Sequence, residues 1–203
     1  MITANVDGDK TNRLVVFDVE GVLLPERRYL LSVARKKLDS WGFLRAITIG
    51  FLYMIGLLSI ESALKSVFKL FRGLKVDDLF QIYKDFPLMP NAKEVFRTLS
   101  KAGYKTALIS SGLPTPFVED LSARLRADYA FGLELGVTNG RLTGEIWGDV
   151  IKPDGKALVL KKILKAEGLS PQDCVVVAND RNNLPMFPLC AVKVGYNPDF
   201  LLC

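Results

Sequence analysis

Arg13-Leu-Val-Val-Phe17 runs directly into Asp18-Val-Glu-Gly-Val-Leu-Leu-Pro-Glu26, and this junction decides the fold. A short apolar run without alternation marks a strand covered on both faces, the usual state of a strand in a parallel sheet. The run stops on two carboxylates and a glycine. Further along, Lys105-Thr-Ala-Leu-Ile109, Cys174-Val-Val-Val-Ala178 and Ala191-Val-Lys-Val194 read as strands of the same kind. Helices fall between them. One spans Ala92 to about Ala102, capped by Asn91, with Val95, Phe96 and Leu99 on one face; another spans about Thr115–Arg126. A third follows Gly155 with Ala157, Leu160, Ile163 and Leu164 inward. Leu133–Val137 and Arg141–Ile146, joined through Asn139-Gly140, read as a hairpin with a primed turn. Strands alternating with helices predict an α/β fold with a doubly wound parallel sheet.

Such sheets bind ligands beyond the carboxyl ends of their strands. Asp18–Glu20, Ser110–Gly112 and Asn179–Asn183 each directly follow an apolar strand and are expected to converge. Polar residues after strands are also ordinary turn formers. Three clusters in register, with a lysine nearby, favour a site.

The composition narrows the chemistry. With 203 residues, 49% hydrophobic and 24% charged, the chain has ample material for a core. It contains no histidine, which removes serine–histidine and cysteine–histidine pairs, histidine-ligated zinc and imidazole bases. Three cysteines without Cys-x-x-Cys spacing argue against a disulfide framework and for a reducing compartment. The polar opening Met1–Lys10 reads as no secretory signal, so a cytoplasmic location is expected. A net charge of +5 suits an anionic partner, but the basic residues form no tract interleaved with aromatics. Nucleic acid is unsupported and not expected, and a small phosphorylated substrate fits the charge equally well.

Those residues suit phosphoryl transfer. Asp18 can attack phosphorus while Glu20 carries the leaving group's proton. Gly21 permits a tight turn. Ser111 and the Gly112 amide can donate to phosphate oxygens, and Lys156, at a helix start, adds a positive charge. A hard cation such as magnesium suits Asp18 and neighbouring oxygens.

The stretch Phe17-Asp-Val-Glu-Gly-Val-Leu-Leu-Pro-Glu26 resembles the first motif of the haloacid dehalogenase superfamily, in the form used by its phosphoserine phosphatase branch. Thr106-Ala-Leu-Ile-Ser-Ser-Gly112 is similar to the second motif, and Leu133–Gly144 resembles the branch's hairpin. Lys156 matches the third-motif lysine, with Lys152 as the fallback. The resemblance implies a magnesium-dependent phosphatase working through an aspartyl-phosphate, with phosphoserine the first candidate substrate. Asp18 is then the nucleophile and Glu20 the acid/base, with Ser111, Gly112 and Lys156 on the phosphate. Glu26 and Arg27 are expected to meet the rest of the substrate, although a solvated helix start accounts equally well for Glu26.

The fourth motif departs. Ala178-Asn-Asp-Arg-Asn-Asn-Leu-Pro-Met186 stands where the family reads Gly-Asp-Gly-x-Asn-Asp-Leu-Pro-Met, so both acidic positions are asparagines. The expected magnesium ligands are Asp18, the Glu20 carbonyl, Asn179, Asp180 and Asn183. Because an asparagine supplies no charge, weaker metal affinity and slower turnover are expected. A catalytically weakened protein that binds a phosphorylated ligand or partner is the alternative. Leu113, where the branch usually has a glycine, is a second departure.

Residues 1–24 and 88–203 are expected to form the core and 25–87 a helical cap. Arg27, Arg28, Arg35, Lys36 and Lys37 give its first part a basic face suited to a substrate carboxylate or to solvent. The segment 42–60 is nearly long enough to span a membrane but contains Arg45, and is expected to be a buried cap helix or hairpin. A peripheral membrane or dimer contact, or a phosphatase for amphiphilic phosphates, is the alternative use of that segment.

Overall fold

The computed structural model describes residues 13–25 and 28–196; the polar opening segment, Glu26, Arg27 and Asp199–Cys203 lie outside them. Six strands form one sheet in the order β4-β3-β2-β1-β5-β6. The central strand β1 (Leu14–Asp18) is buried throughout and pairs in parallel with β2 (Lys105–Pro114) and β5 (Cys174–Ala178). Outside these lie β3 (Tyr129–Thr138), parallel to β2, and β6 (Val192–Gly195), parallel to β5. Strand β4 (Arg141–Trp147) returns antiparallel to β3. The sheet is therefore doubly wound, as expected. The register sets Asp18 against Ile109, and Phe17 against Val177. Asp18, Ser110–Gly112 and Asn179 accordingly lie toward the carboxyl ends of three adjacent strands, at the same edge.

Helices α5 (Ala92–Lys101), α6 (Thr115–Leu125) and α7 (Gly155–Glu167) connect the strands. In α7 the four residues expected inward are all buried. Asn139 and Gly140 take φ of 50° and 72°, the left-handed pair that the primed turn requires.

Several expectations need correction. Ser110–Gly112 does not follow its strand but lies within it: β2 stays extended and buried through Pro114, and its pairing with β3 slips between Ile109 and Pro114. Ser110 Oγ accepts the Leu113 amide at 3.0 Å within this slip. Strand β3 begins at Tyr129, ahead of Leu133. Asn91 makes no side-chain cap; it sits at φ 64°, a conformation asparagine tolerates, and Val95 faces solvent while Ala92 and Phe96 turn inward.

Four helices lie between β1 and α5: α1 (Arg28–Lys37), α2 (Ser40–Met54), α3 (Ile60–Leu70) and α4 (Val76–Lys84). Asp39 caps α2 by accepting the Gly42 amide at 2.8 Å, and Ser59 caps α3 through the Ser62 amide at 3.2 Å. The segment 42–60 is helical over most of its length, but it is not buried. Of α2 only Ala46 is buried, because the helix is apolar around its whole circumference and only one side meets α1 and α3. Trp41, Leu44, Phe51 and Met54 are left exposed, as are Ile55 and Leu57 after the helix. Among the described residues no helix is long and apolar enough to cross a membrane. The expected basic face is also divided: Lys36 pairs with Asp85 at 2.9 Å and Lys37 with Asp78 at 3.1 Å.

The helical segment is sewn to the β3–β4 hairpin. Gly73 N donates to Leu142 O (2.8 Å), Leu142 N to Leu74 O (2.9 Å) and Val76 N to Gly140 O (3.0 Å).

Candidate active site

Asp18 ends β1 and is 5% exposed. Its Oδ1 accepts the Val19 amide at 2.7 Å and faces Lys156 Nζ at 2.8 Å; its Oδ2 accepts Asn183 Nδ2 at 2.6 Å. Lys156 Nζ also donates to Asn183 Oδ1 at 2.9 Å, closing a buried triangle of carboxylate, ammonium and amide. A buried ion pair lasts only when its remaining hydrogen-bonding capacity is met, and Asn183 meets it. Lys156 rather than Lys152 is the site lysine, since Lys152 is exposed and turns to Asp149 at 2.8 Å. Asp18, unexpectedly, supplies the carboxylate for Lys156 that the asparagines do not.

The loop after β1 is tight. The amides of Leu23 and Leu24 both donate to Val19 O at 2.9 Å, and Gly21 turns with φ 90°. A Cβ on Gly21 would stand 1.9 Å from Asn179 Nδ2, so only glycine lets the two loops close on each other. Across the edge, a Cβ on Gly112 would stand 2.1 Å from Glu20 Oε2. The Glu20 carboxylate therefore lies directly over the Gly112 backbone. Burial and the negative charge of Glu20 together hold the Tyr29 hydroxyl above its usual range. Ser111, buried, donates to Val150 O at 2.7 Å from the turn that precedes α7. Leu113 is fully buried, and its side chain fills the core at the departure from the branch pattern.

The Asn179–Asn183 segment supplies the third wall. Asp180 Oδ1 accepts Asn183 Nδ2 at 2.8 Å and the Asn182 amide at 3.1 Å. Asn179 is 1% exposed and its Oδ1 has no hydrogen-bond partner, a condition that costs about 1–3 kcal/mol. A hard cation is one partner that satisfies such an oxygen, so the donors present fit one.

Asp18, Glu20, Ser111, Gly112, Lys156 and Asp180 line a single cavity of about 470 Å³ that continues up among α1, α2 and α3. Glu26 and Arg27, expected at the substrate, lie outside the described residues. Sequence reasoning missed the contact closing the cavity's side: Tyr53 of α2 donates to Asn182 Oδ1 at 2.5 Å, while Arg181 Nη2 donates to Tyr53 O at 2.8 Å. Arg181 also lies 5.2 Å from the Tyr53 ring centre. The visible signal was a lone arginine in the fourth segment and a tyrosine near the end of a largely apolar helix. Cys174 takes no part: burial pushes its thiol up to about 12.

Residues 15–188 match the family model for haloacid dehalogenase-like hydrolases. The chain is 33% identical over 189 residues to a phosphoserine phosphatase of Archaeoglobus fulgidus, covering 93% of this chain and 54% of that protein. It is 32% identical over 143 residues to one from Methanocaldococcus jannaschii, covering 70% of this chain and 67% of the relative. It thus spans about half the length of the first relative and two thirds of the second. A solved phospho-aspartyl intermediate analogue of phosphoserine phosphatase superposes with a TM-score of 0.83 at 28% identity, over 94% of this chain and 89% of that one. A substrate-bound phosphoserine phosphatase complex gives the same TM-score at 26% identity, over the same shares of the two chains. The chain belongs to the haloacid dehalogenase-like hydrolase family, on its phosphoserine phosphatase-like side.

Proposed function

We propose that this chain hydrolyses phosphomonoesters through a phospho-enzyme on Asp18, with 25–87 acting as a cap over a core of 1–24 and 88–203. The observation that carries the reading is the buried Asp18–Lys156–Asn183 triangle opening into one cavity with Glu20, Ser111 and Gly112. An Asp18 oxygen attacks phosphorus as the ester P–O bond breaks, and Glu20 protonates the departing alkoxide. Glu20 then takes a proton from water. The resulting hydroxide attacks phosphorus, the aspartyl P–O bond breaks, and phosphate leaves with Asp18 restored. Lys156, paired with Asp18 while no phosphate is present, turns its charge to the transferring oxygens. Ser111 and the Gly112 amide hold the same oxygens.

Magnesium is the cation we assign to this site, with Asp18, Asn179 Oδ1, the Glu20 carbonyl and Asp180 as its holders. When bound it neutralises phosphate charge. Asn183 leaves that set, because its amide already serves Asp18, Asp180 and Lys156. Phosphoserine, named in the relatives, is the first substrate to assay, and we place the protein in the cytoplasm. Hydrolysis of p-nitrophenyl phosphate with magnesium tests the reading. Asp18→Asn is expected to lower kcat by about 10³-fold or more. A parent no faster than Asp18→Asn overturns it and leaves a phosphate-binding protein, the reading that the uncharged Asn179 and Asn183 favour.

A further inference from the structure

The cavity has two chemistries. Its floor is the charged cluster at the strand ends, and every charged residue lining it, Asp18, Glu20, Lys156 and Asp180, belongs to that floor. Its upper walls come from the helices and, among the described residues, contain no charge. Leu30, Ile49, Ile60, Leu64 and Val67 form the interior, and Leu31, Ile47, Phe51 and Met54 the mouth. The side chains at the mouth are about half exposed, Phe51 at 51% and Met54 at 55%. Among the described residues, no lysine or arginine of the helical segment lines the cavity. Lys36 and Lys37 are held by α4, while Arg35 and Arg45 are exposed and line no part of the cavity.

Against the described upper walls, a zwitterionic leaving group would place an ammonium and a carboxylate on hydrocarbon, where unpaired charges are strongly disfavoured. A hydrocarbon leaving group would instead cover walls that otherwise face water. Resting on the phosphomonoesterase reading, we infer that the substrate is a phosphomonoester of a long-chain alcohol. Its phosphate meets Asp18 and Lys156 while its chain runs between α1, α2 and α3 to the exposed face of α2. The exposed apolar face of α2 is then the side on which an amphiphile enters or leaves.

Two sets of measurements test this. Dissolved ethyl, butyl, hexyl and octyl phosphates are compared with phosphoserine as substrates, and the matching alkylphosphonates, which cannot be hydrolysed, are titrated by calorimetry. The expected result is about fourfold higher kcat/KM and about fourfold tighter phosphonate binding for each methylene buried, with phosphoserine below butyl phosphate. Binding also gains a negative heat-capacity change as the chain lengthens. Ile47→Lys and Phe51→Lys, at exposed mouth positions and checked for folding by circular dichroism, are expected to flatten both slopes. Phosphonate affinity independent of chain length in the folded parent overturns the inference, even with phosphomonoesterase activity intact. Chain-dependent phosphonate binding without hydrolysis of any ester supports the chamber and overturns the hydrolase reading instead. Phosphatidic acid in phosphatidylcholine vesicles, set beside dissolved octyl phosphate, separates a membrane-borne from a dissolved substrate. Turnover of either above phosphoserine supports the inference, and turnover of neither above it counts against it.

Discussion

Asn179 presents a buried amide oxygen without a hydrogen-bond partner, its amide packed against the Gly21 turn that follows Asp18, and its chemistry can be varied one atom at a time. Replacing the amide nitrogen by oxygen adds a charge at the same place. Asn179→Asp is therefore expected to tighten magnesium binding by about tenfold, a coupling of about 1.4 kcal/mol. Calorimetric titration of magnesium reads this without reference to turnover, and unchanged affinity removes Asn179 from the ion's holders. Gly112→Ala makes a complementary case. The new Cβ would fall 2.1 Å from Glu20 Oε2 and must push the carboxylate away, so kcat is expected to fall about 10²-fold with little change in melting temperature. These residues also mark how much of the site the sequence disclosed. Asp18, Ser111 and Lys156 were legible because the first two come right after plain apolar runs and the third lies in the first turn of a helix with a plain apolar period. Asn183's role as a neutral brace was not, because the direction of an amide depends on Asp180 and Lys156, which the chain brings together only on folding.

At the scale of elements, the turn before α7 is a support that periodicity does not reveal. Asp149 opens it and receives Lys152 at 2.8 Å and Lys162 at 2.5 Å. Its carboxyl is held down at about 2 by hydrogen bonds from Lys152, then Lys162, against an ordinary 3.8. A depressed carboxyl lends stability in full above 3.8, and loses it as pH falls from there toward about 2. The melting temperature of the parent should therefore fall more steeply across that window than that of Asp149→Asn. Equal acid limbs would show that the clamp is silent. The next residue's carbonyl, Val150 O, receives Ser111, so the clamp also steadies the Ser111 hydroxyl. Helix α2 makes the opposite point. Its apolar run was read as buried, yet a helix apolar all round has more such surface than its two neighbours can cover. At the end of α2, Tyr53 ties the helix to the fourth-motif segment through Asn182 and Arg181. Arg181→Ala removes the donor to Tyr53 O and the cation over its ring, and is expected to raise KM severalfold while kcat changes less. Steady-state kinetics separate the two parameters.

Over the whole molecule, the doubly wound parallel sheet was legible because each β-unit carries its own apolar run and turn; the order of its strands came only with the structure. The attachment of the helical segment to the hairpin was not legible either, since it is made by backbone groups of Gly73, Leu74 and Val76 that no side-chain pattern reports. That seam has a kinetic meaning. A cap held by two chain connections alone would lift freely on both sides of the site. The helical segment is instead riveted to the hairpin along one border, packs Tyr29, Phe80 and Tyr83 against Phe117 of α6, and meets the fourth-motif segment at Tyr53, so an opening on the Tyr53 side would leave the seam in place. In deuterium exchange the amides of Gly73, Val76 and Leu142 should then exchange as slowly as those of the sheet, while those around Tyr53 and Asn182 exchange fast and slow down when a phosphate analogue is bound.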